Sequence, residues 1–193
     1  AISICRFKPM VALSQTLISY EPGILKHYGI SFARLRFLII HIIQNFTFRR
    51  ADGVIFLTNY AGNLIQKSCG LLKRVAYIPH GINEEFNIEK PIVDFLKHEE
   101  YSIRCVYVSD TSMYKNQWVV VRAISFLRDQ GLDINLSLVG GGKGAAQNLL
   151  DKTISELQSS KNFVEQIDFI PHKLLPALLV EKDIFIFASS CEN

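Results

Sequence analysis

Apolar runs of strand length alternate with segments of helical period along almost the whole chain. That alternation allows few folds. A strand, a helix and a further strand in succession form a βαβ unit, whose strands run parallel and whose helices cover the sheet. The spacing predicts strands at residues 10–13, 53–57, 75–78, 102–109, 134–139, 166–170 and 184–188. Helices are predicted at 31–50, 59–69, 115–130, 145–159 and 173–180. No solenoid-type repeat or low-complexity tract interrupts the series.

One stretch has a different texture. Residues 79–100 are rich in charge, carry Pro79, Gly81 and Pro91, and show no long period, which is the composition of a linker. A boundary near residue 90 leaves an α/β piece over 1–90 and a second over 91–193. Both are expected to be incomplete Rossmann-like domains, because the chain starts without Met and stops just after an apolar strand. Two such pieces are expected to face each other across a cleft, with ligands at the carboxyl ends of the strands.

Composition narrows the partners. A net charge of +3 is too small a bias to indicate nucleic acid, while small acidic ligands remain open. Cys5, Cys69, Cys105 and Cys191 fall into no metal or redox spacing, so a reduced, cytoplasmic chain is the simplest expectation. Lys8 and Pro9 interrupt the first apolar run, so no secretory signal is visible. Residues 37–48 are very apolar and bracketed by Arg34, Arg36, Arg49 and Arg50. The run falls short of the ~20 residues that span a bilayer. It is either a helix buried against the first sheet or an interfacial basic helix in peripheral contact with a membrane.

Three loops could carry chemistry. In Val108-Ser-Asp-Thr-Ser-Met-Tyr-Lys115-Asn-Gln-Trp a strand runs through a polar turn into a helix. Free N–H groups and the positive helix end suit a phosphate there, and Lys115 would add a mobile cation to offset charge on a leaving diphosphate. Alternatively, Ser112 caps the helix and Lys115 is solvated. The second loop, Leu138-Val-Gly140-Gly141-Gly142-Lys-Gly144-Ala145, satisfies G-x-G-x-x-A, with Asp168 further on. A dinucleotide fingerprint, however, belongs in the first βα unit of its domain, and this loop follows the second strand of its piece. Tight-turn duty alone also accounts for the glycines. The third, Phe187-Ala-Ser-Ser-Cys-Glu192, delivers a carboxylate at a strand end, where it could accept bonds from sugar hydroxyls. Ser14, Gln15, His80, His98 and His172 form no recognisable triad.

Taken in order, these segments resemble glycosyltransferase family 4, retaining enzymes with two facing Rossmann-like domains, the GT-B fold. The resemblance runs from Arg50-Ala-Asp-Gly-Val-Ile-Phe-Leu-Thr58 through Ile78-Pro-His-Gly-Ile82 and the Lys115 turn. It continues through the Leu-Val-Gly-Gly-Gly loop, Asp168-Phe-Ile-Pro-His172 and Lys182-Asp-Ile-Phe-Ile-Phe-Ala-Ser-Ser-Cys-Glu192. It implies a sugar transfer from a nucleotide-sugar donor, a substrate and not a cofactor, to a saccharide or lipid-linked acceptor in surface-polysaccharide synthesis. By the same resemblance, Lys115 would hold the donor diphosphate and Glu192 would be the first acid of the family's E-x7-E motif. Ser109 and Gly140, Gly141 and Gly142 would line the donor site, and Ile170, Pro171 and His172 would meet the nucleobase. No metal is implied.

The departures matter. Ser109-Asp110 replace a Gly-Arg pair common in the family, and Ser14-Gln15 lie near where a histidine often occurs on the acceptor side. The second acid of E-x7-E would fall past Asn193, so this polypeptide alone is expected to be weakly active or inactive. Two other readings stay open: an NAD(P)-dependent oxidoreductase using Gly140, Gly142 and Ala145, and a non-catalytic nucleotide-binding module at a membrane.

Overall fold

The computed structural model describes residues 8–87, 102–157 and 162–192. Most of the expected linker, together with Cys5, His98 and the last residues of the helix expected at 145–159, lies outside the described residues. The chain divides into two compact units, one of residues 1–81 with 191–193 and one of residues 82–190.

The first unit is built on a parallel sheet of order β1-β2-β3, formed by β1 (Val11–Ser14), β2 (Gly53–Phe56) and β3 (Val75–Tyr77). α1 (Phe32–Arg50) and α2 (Asn59–Cys69) are the crossovers. Ser31 and Thr58 start them, their hydroxyls accepting from the N–H groups of Arg34 and Ala61, the usual use of Ser and Thr at a helix start. Gly70 ends α2 with φ +83°, a backbone angle L side chains rarely adopt. Val54, Phe56, Phe48, Ala61 and Ile65 form the core of this unit. Gly62 admits the Tyr77 ring, since a Cβ on Gly62 would lie 2.6 Å from Tyr77 Cε1.

Of the two readings left open for the apolar run 37–48, burial against this sheet holds only in part: within α1, Gln44, Thr47 and Phe48 are buried. Its other apolar residues are half-buried or exposed.

The second unit holds a parallel sheet of order β6-β5-β4-β7. Its strands are β4 (Ile103–Val108), β5 (Ile134–Val139), β6 (Val164–Ile167) and β7 (Ile184–Phe185). The helices are α3 (Gln117–Asp129), α4 (Ala145–Leu157) and α5 (Leu175–Val180). Cys105, Tyr107, Leu136 and Leu138 pack with Trp118, Val121, Ile124, Leu150 and Ile154 in one core. Each fully buried large side chain contributes about 1.5–3 kcal/mol over an exposed one.

Several predicted boundaries move. α3 begins at Gln117 rather than Lys115, because Asn116 takes the left-handed conformation (φ 55°) and Met113–Lys115 form a separate 3-10 turn. β6 covers Val164–Ile167 and not 166–170, because its register follows Leu136–Val139 of β5. β7 pairs only through Ile184 and Phe185. The last expected helix is a 3-10 turn, His172–Leu174, leading into α5.

Candidate functional site

Strand order locates the candidate site. From β4 the chain adds β5 and then β6 outward on one side, and then returns to place β7 on the other side of β4. In parallel sheets the crevice outside the carboxyl ends of the two strands flanking such a reversal is where ligands bind. The loops leaving β4 and β7 meet there. Ser190 N–H donates to the Tyr114 carbonyl at 2.8 Å, and Asn116 Nδ2 donates to the Ala188 carbonyl at 2.9 Å.

Lys115 sits in the middle of this junction. It is neither mobile nor solvated: the residue is 8% exposed. Its Nζ lies 4.8 Å from the centroid of the Phe187 ring and 5.2 Å from that of Tyr114, within the ~6 Å at which a ring face attracts a cation. The backbone below it is fixed by Tyr107, whose buried hydroxyl donates to the Lys115 carbonyl at 2.7 Å. Phe187 is held in turn by stacking on Tyr107 at 5.7 Å.

The polar turn before Lys115 is internally bonded. The Ser109 hydroxyl donates to the Asp110 carbonyl at 2.8 Å and accepts from Gln117 Nε2 at 3.2 Å. The Ser112 hydroxyl donates to the Asp110 carboxylate and does not cap the 3-10 turn it precedes. Thr111 Oγ1 and Gln117 Oε1 are buried with no hydrogen-bond partner among the described residues, a state most native proteins avoid unless a further group answers it.

The glycine loop packs onto that turn. A Cβ on Gly140 (φ +99°) would stand 2.5 Å from the Ser109 carbonyl oxygen, and one on Gly142 would stand 2.6 Å from Thr111 Cβ. Thr111 N–H donates to the Gly141 carbonyl at 3.4 Å. These glycines therefore serve loop-on-loop contact, and the space a Cβ would occupy faces the backbone of Ser109 and the residue Thr111.

The remaining predicted residues are more dispersed. Ile170, Pro171 and His172 follow β6, and the His172 ring lies 5.0 Å from that of Phe86. Glu192 is exposed and groups with the first unit. Ser14 ends β1 with its Oγ buried and unpartnered among the described residues, and Gln15 beside it is exposed. No group of His, Cys, Asp and Glu suited to a metal occurs among the described residues.

Sequence reasoning missed the aromatic walls around Lys115. Phe187 lies far along the chain, and only the β4–β7 pairing brings it near. It also missed Asn116, although asparagine before a helix is a signal for a left-handed residue.

No known protein family matches the chain, and neither does any curated protein sequence. Solved structures do match. Sucrose-phosphate synthase from Thermosynechococcus elongatus superposes with a TM-score of 0.71 at 18% identity, over 95% of this chain and 45% of that one. Anabaena HepE, solved with UDP and glucose, gives 0.63 at 19%, over 94% and 46%. TarM of S. aureus, solved as a mutant with UDP, gives 0.61 at 12%, over 94% and 32%. The fold is thus α/β of the GT-B type, with Rossmann-like domains. The chain spans less than half the length of each of these neighbours.

Proposed function

We propose that the chain is part of a retaining glycosyltransferase of family 4 that moves a sugar from a nucleotide-sugar donor to a saccharide or lipid-linked acceptor in cell-surface polysaccharide synthesis. The observation that carries this reading is Lys115, an almost fully enclosed cation at the strand-order reversal, held over two ring faces. A fixed positive charge at that point suits the developing charge of a leaving nucleoside diphosphate, because it needs no reorganisation when the bond breaks. The orphaned Thr111 hydroxyl and Gln117 carbonyl add polar capacity beside it. Anabaena HepE and TarM, both solved with UDP, make UDP the probe of choice.

On this reading Ser109, Lys115 and the turn braced by Gly140, Gly141 and Gly142 hold the diphosphate. Ile170, Pro171 and His172 approach the nucleobase, Glu192 receives sugar hydroxyls, and Ser14 and Gln15 lie on the acceptor side. Calorimetric titration with UDP tests the central assignment. Lys115→Ala is expected to weaken UDP at least ten-fold, about 1.4 kcal/mol, with Lys115→Arg retaining part of the affinity. Equal affinity for wild type and Lys115→Ala would sink the diphosphate role.

A further inference from the structure

α1 turns His41, Gln44 and Asn45 toward its own unit and leaves an apolar stripe outward. On the inward face, Gln44 Oε1 accepts from the Ser19 hydroxyl at 2.8 Å and Asn45 Oδ1 accepts from the Tyr20 hydroxyl at 2.9 Å. His41 Nδ1 lies 2.8 Å from the Ser19 carbonyl, and Asn45 Nδ2 donates to Ser68 Oγ at 2.9 Å. On the outward face, Phe32, Leu35, Ile39, Ile42 and Phe46 recur at steps of three and four residues, with Leu38 beside them, and all six are exposed. That spacing makes one stripe along the helix, about 21 Å from end to end at the helical rise. A contiguous apolar strip of this kind marks a surface that something covers.

Charge says what covers it. Residues 22–51 carry Lys26, Arg34, Arg36, Arg49 and Arg50 and not one Asp or Glu, although the whole chain is only +3. The excess positive charge is therefore concentrated on this segment, and the rest of the chain is net acidic. Arg36 and Arg50 lean over the rings of Phe37 and Phe46, 5.6 and 4.8 Å from their centroids. At the C-terminal end of α1 a cavity of about 370 Å³ is lined by Lys8, Arg49, Arg50, Lys73 and Arg74, with Asp52 as its one acid. A second copy laid stripe on stripe would bring these cations together with no acid on the segment to answer them. An anionic lipid surface answers both features at once, taking apolar side chains at the acyl boundary and cations among the phosphates.

We infer that α1 docks this protein onto an anionic bilayer, lying in the interface with its stripe inserted and a lipid phosphate in the basic cavity at its end. No described helix is long and apolar enough to cross a membrane, so the contact is one of lying on the surface. The inference does not depend on nucleotide binding.

Flotation of the whole chain with phosphatidylcholine vesicles, with and without about one third phosphatidylglycerol, tests it. Binding is expected only to the anionic vesicles. Ile42→Glu in the stripe and the double variant Arg50→Glu, Arg74→Glu are each expected to lower it at least five-fold. All these side chains are exposed, so each variant is expected to keep a cooperative melt, which checks that it is folded. Equal binding to both vesicle types, or binding that neither variant lowers, would overturn the inference. So would release by inorganic phosphate at constant ionic strength, which would make the cavity a site for free anions. A dimer on gel filtration that Ile42→Glu splits would assign the stripe to a second copy instead.

Discussion

Replacing Gly140, Gly142 and Gly144 by alanine, one at a time, separates two costs that the turn against Ser109–Thr111 combines. Gly144 has φ +81° and open space where a Cβ would go, so Gly144→Ala carries only the left-handed penalty, about 1 kcal/mol. Gly142 has no such φ, but its Cβ would meet Thr111 Cβ at 2.6 Å and the Thr111 carbonyl oxygen at 2.8 Å. Relieving that overlap moves backbone, at a cost of about 2 kcal/mol. Gly140 combines both, with φ +99° and the Ser109 carbonyl oxygen at 2.5 Å, for a loss of about 3–4 kcal/mol.

Trp118 reads this out cleanly. It is the one tryptophan of the chain and is buried in the core of the second unit, so its fluorescence follows that unit alone. At about 2–4 °C per kcal/mol for a chain of this size, the melts are expected to fall by roughly 3, 6 and 10 °C for Gly144→Ala, Gly142→Ala and Gly140→Ala. A Gly140→Ala melt within about 2 °C of Gly144→Ala would refute the close approach of the two loops. The same series bears on the diphosphate proposal: Gly140→Ala should also weaken UDP by displacing Ser109, and Gly144→Ala should not.

Two further outcomes follow from charges away from the turn. Asp183 is fully enclosed and accepts from the Arg104 backbone N–H at 2.9 Å and from its guanidinium at 3.0 and 2.9 Å. Arg104→Ala removes two charge-assisted bonds to a buried carboxylate and is expected to cost about 2–3 kcal/mol by urea denaturation, less than a wholly buried pair because Arg104 is half exposed; a loss under about 0.5 kcal/mol would contradict it. Asp52 is held below the usual carboxylate range chiefly by the Met10 N–H at 2.9 Å, with Lys8 and Arg74 assisting against partial desolvation. A depressed folded-state value means stability that is present above the unfolded pKa of about 4 and lost as pH falls through the lower folded value. Asp52→Asn is therefore expected to flatten the fall of the urea midpoint below about pH 4, and an unchanged slope would argue against the Met10 bond.

The α/β organisation was legible because the inner strands β4 and β5 are enclosed, and enclosure writes continuous apolar runs into the sequence. Strand ends were less legible. Phe169 reads as strand interior, yet it is 82% exposed, since β6 pairs on one side only and its partner β5 runs out at Val139. The neighbour's register decides such an end, and no residue within β6 encodes it. The apolar run of α1 left two readings open for a related reason. Its periodicity shows an apolar face but not which way that face turns, and the polar partners that hold the other face, Ser19, Tyr20 and Ser68, come from separate segments.

Lys115 shows the same gap at the level of the site. The sequence offered a mobile phosphate-binding charge or a solvated side chain, and the structure has a third arrangement, an enclosed cation between ring faces. A flexible lysine loses its rotamer freedom when a ligand arrives, which subtracts from affinity. Here that ordering is already done by Tyr107, which fixes the Lys115 carbonyl and stacks on Phe187, and by the Tyr114 carbonyl, which ties down the β7 loop. An anion arriving at this junction therefore meets a lysine that has already been positioned. On the proposed reading, the Gly-Arg pair replaced by Ser109-Asp110 leaves this preorganised charge as the part of the turn that answers the diphosphate.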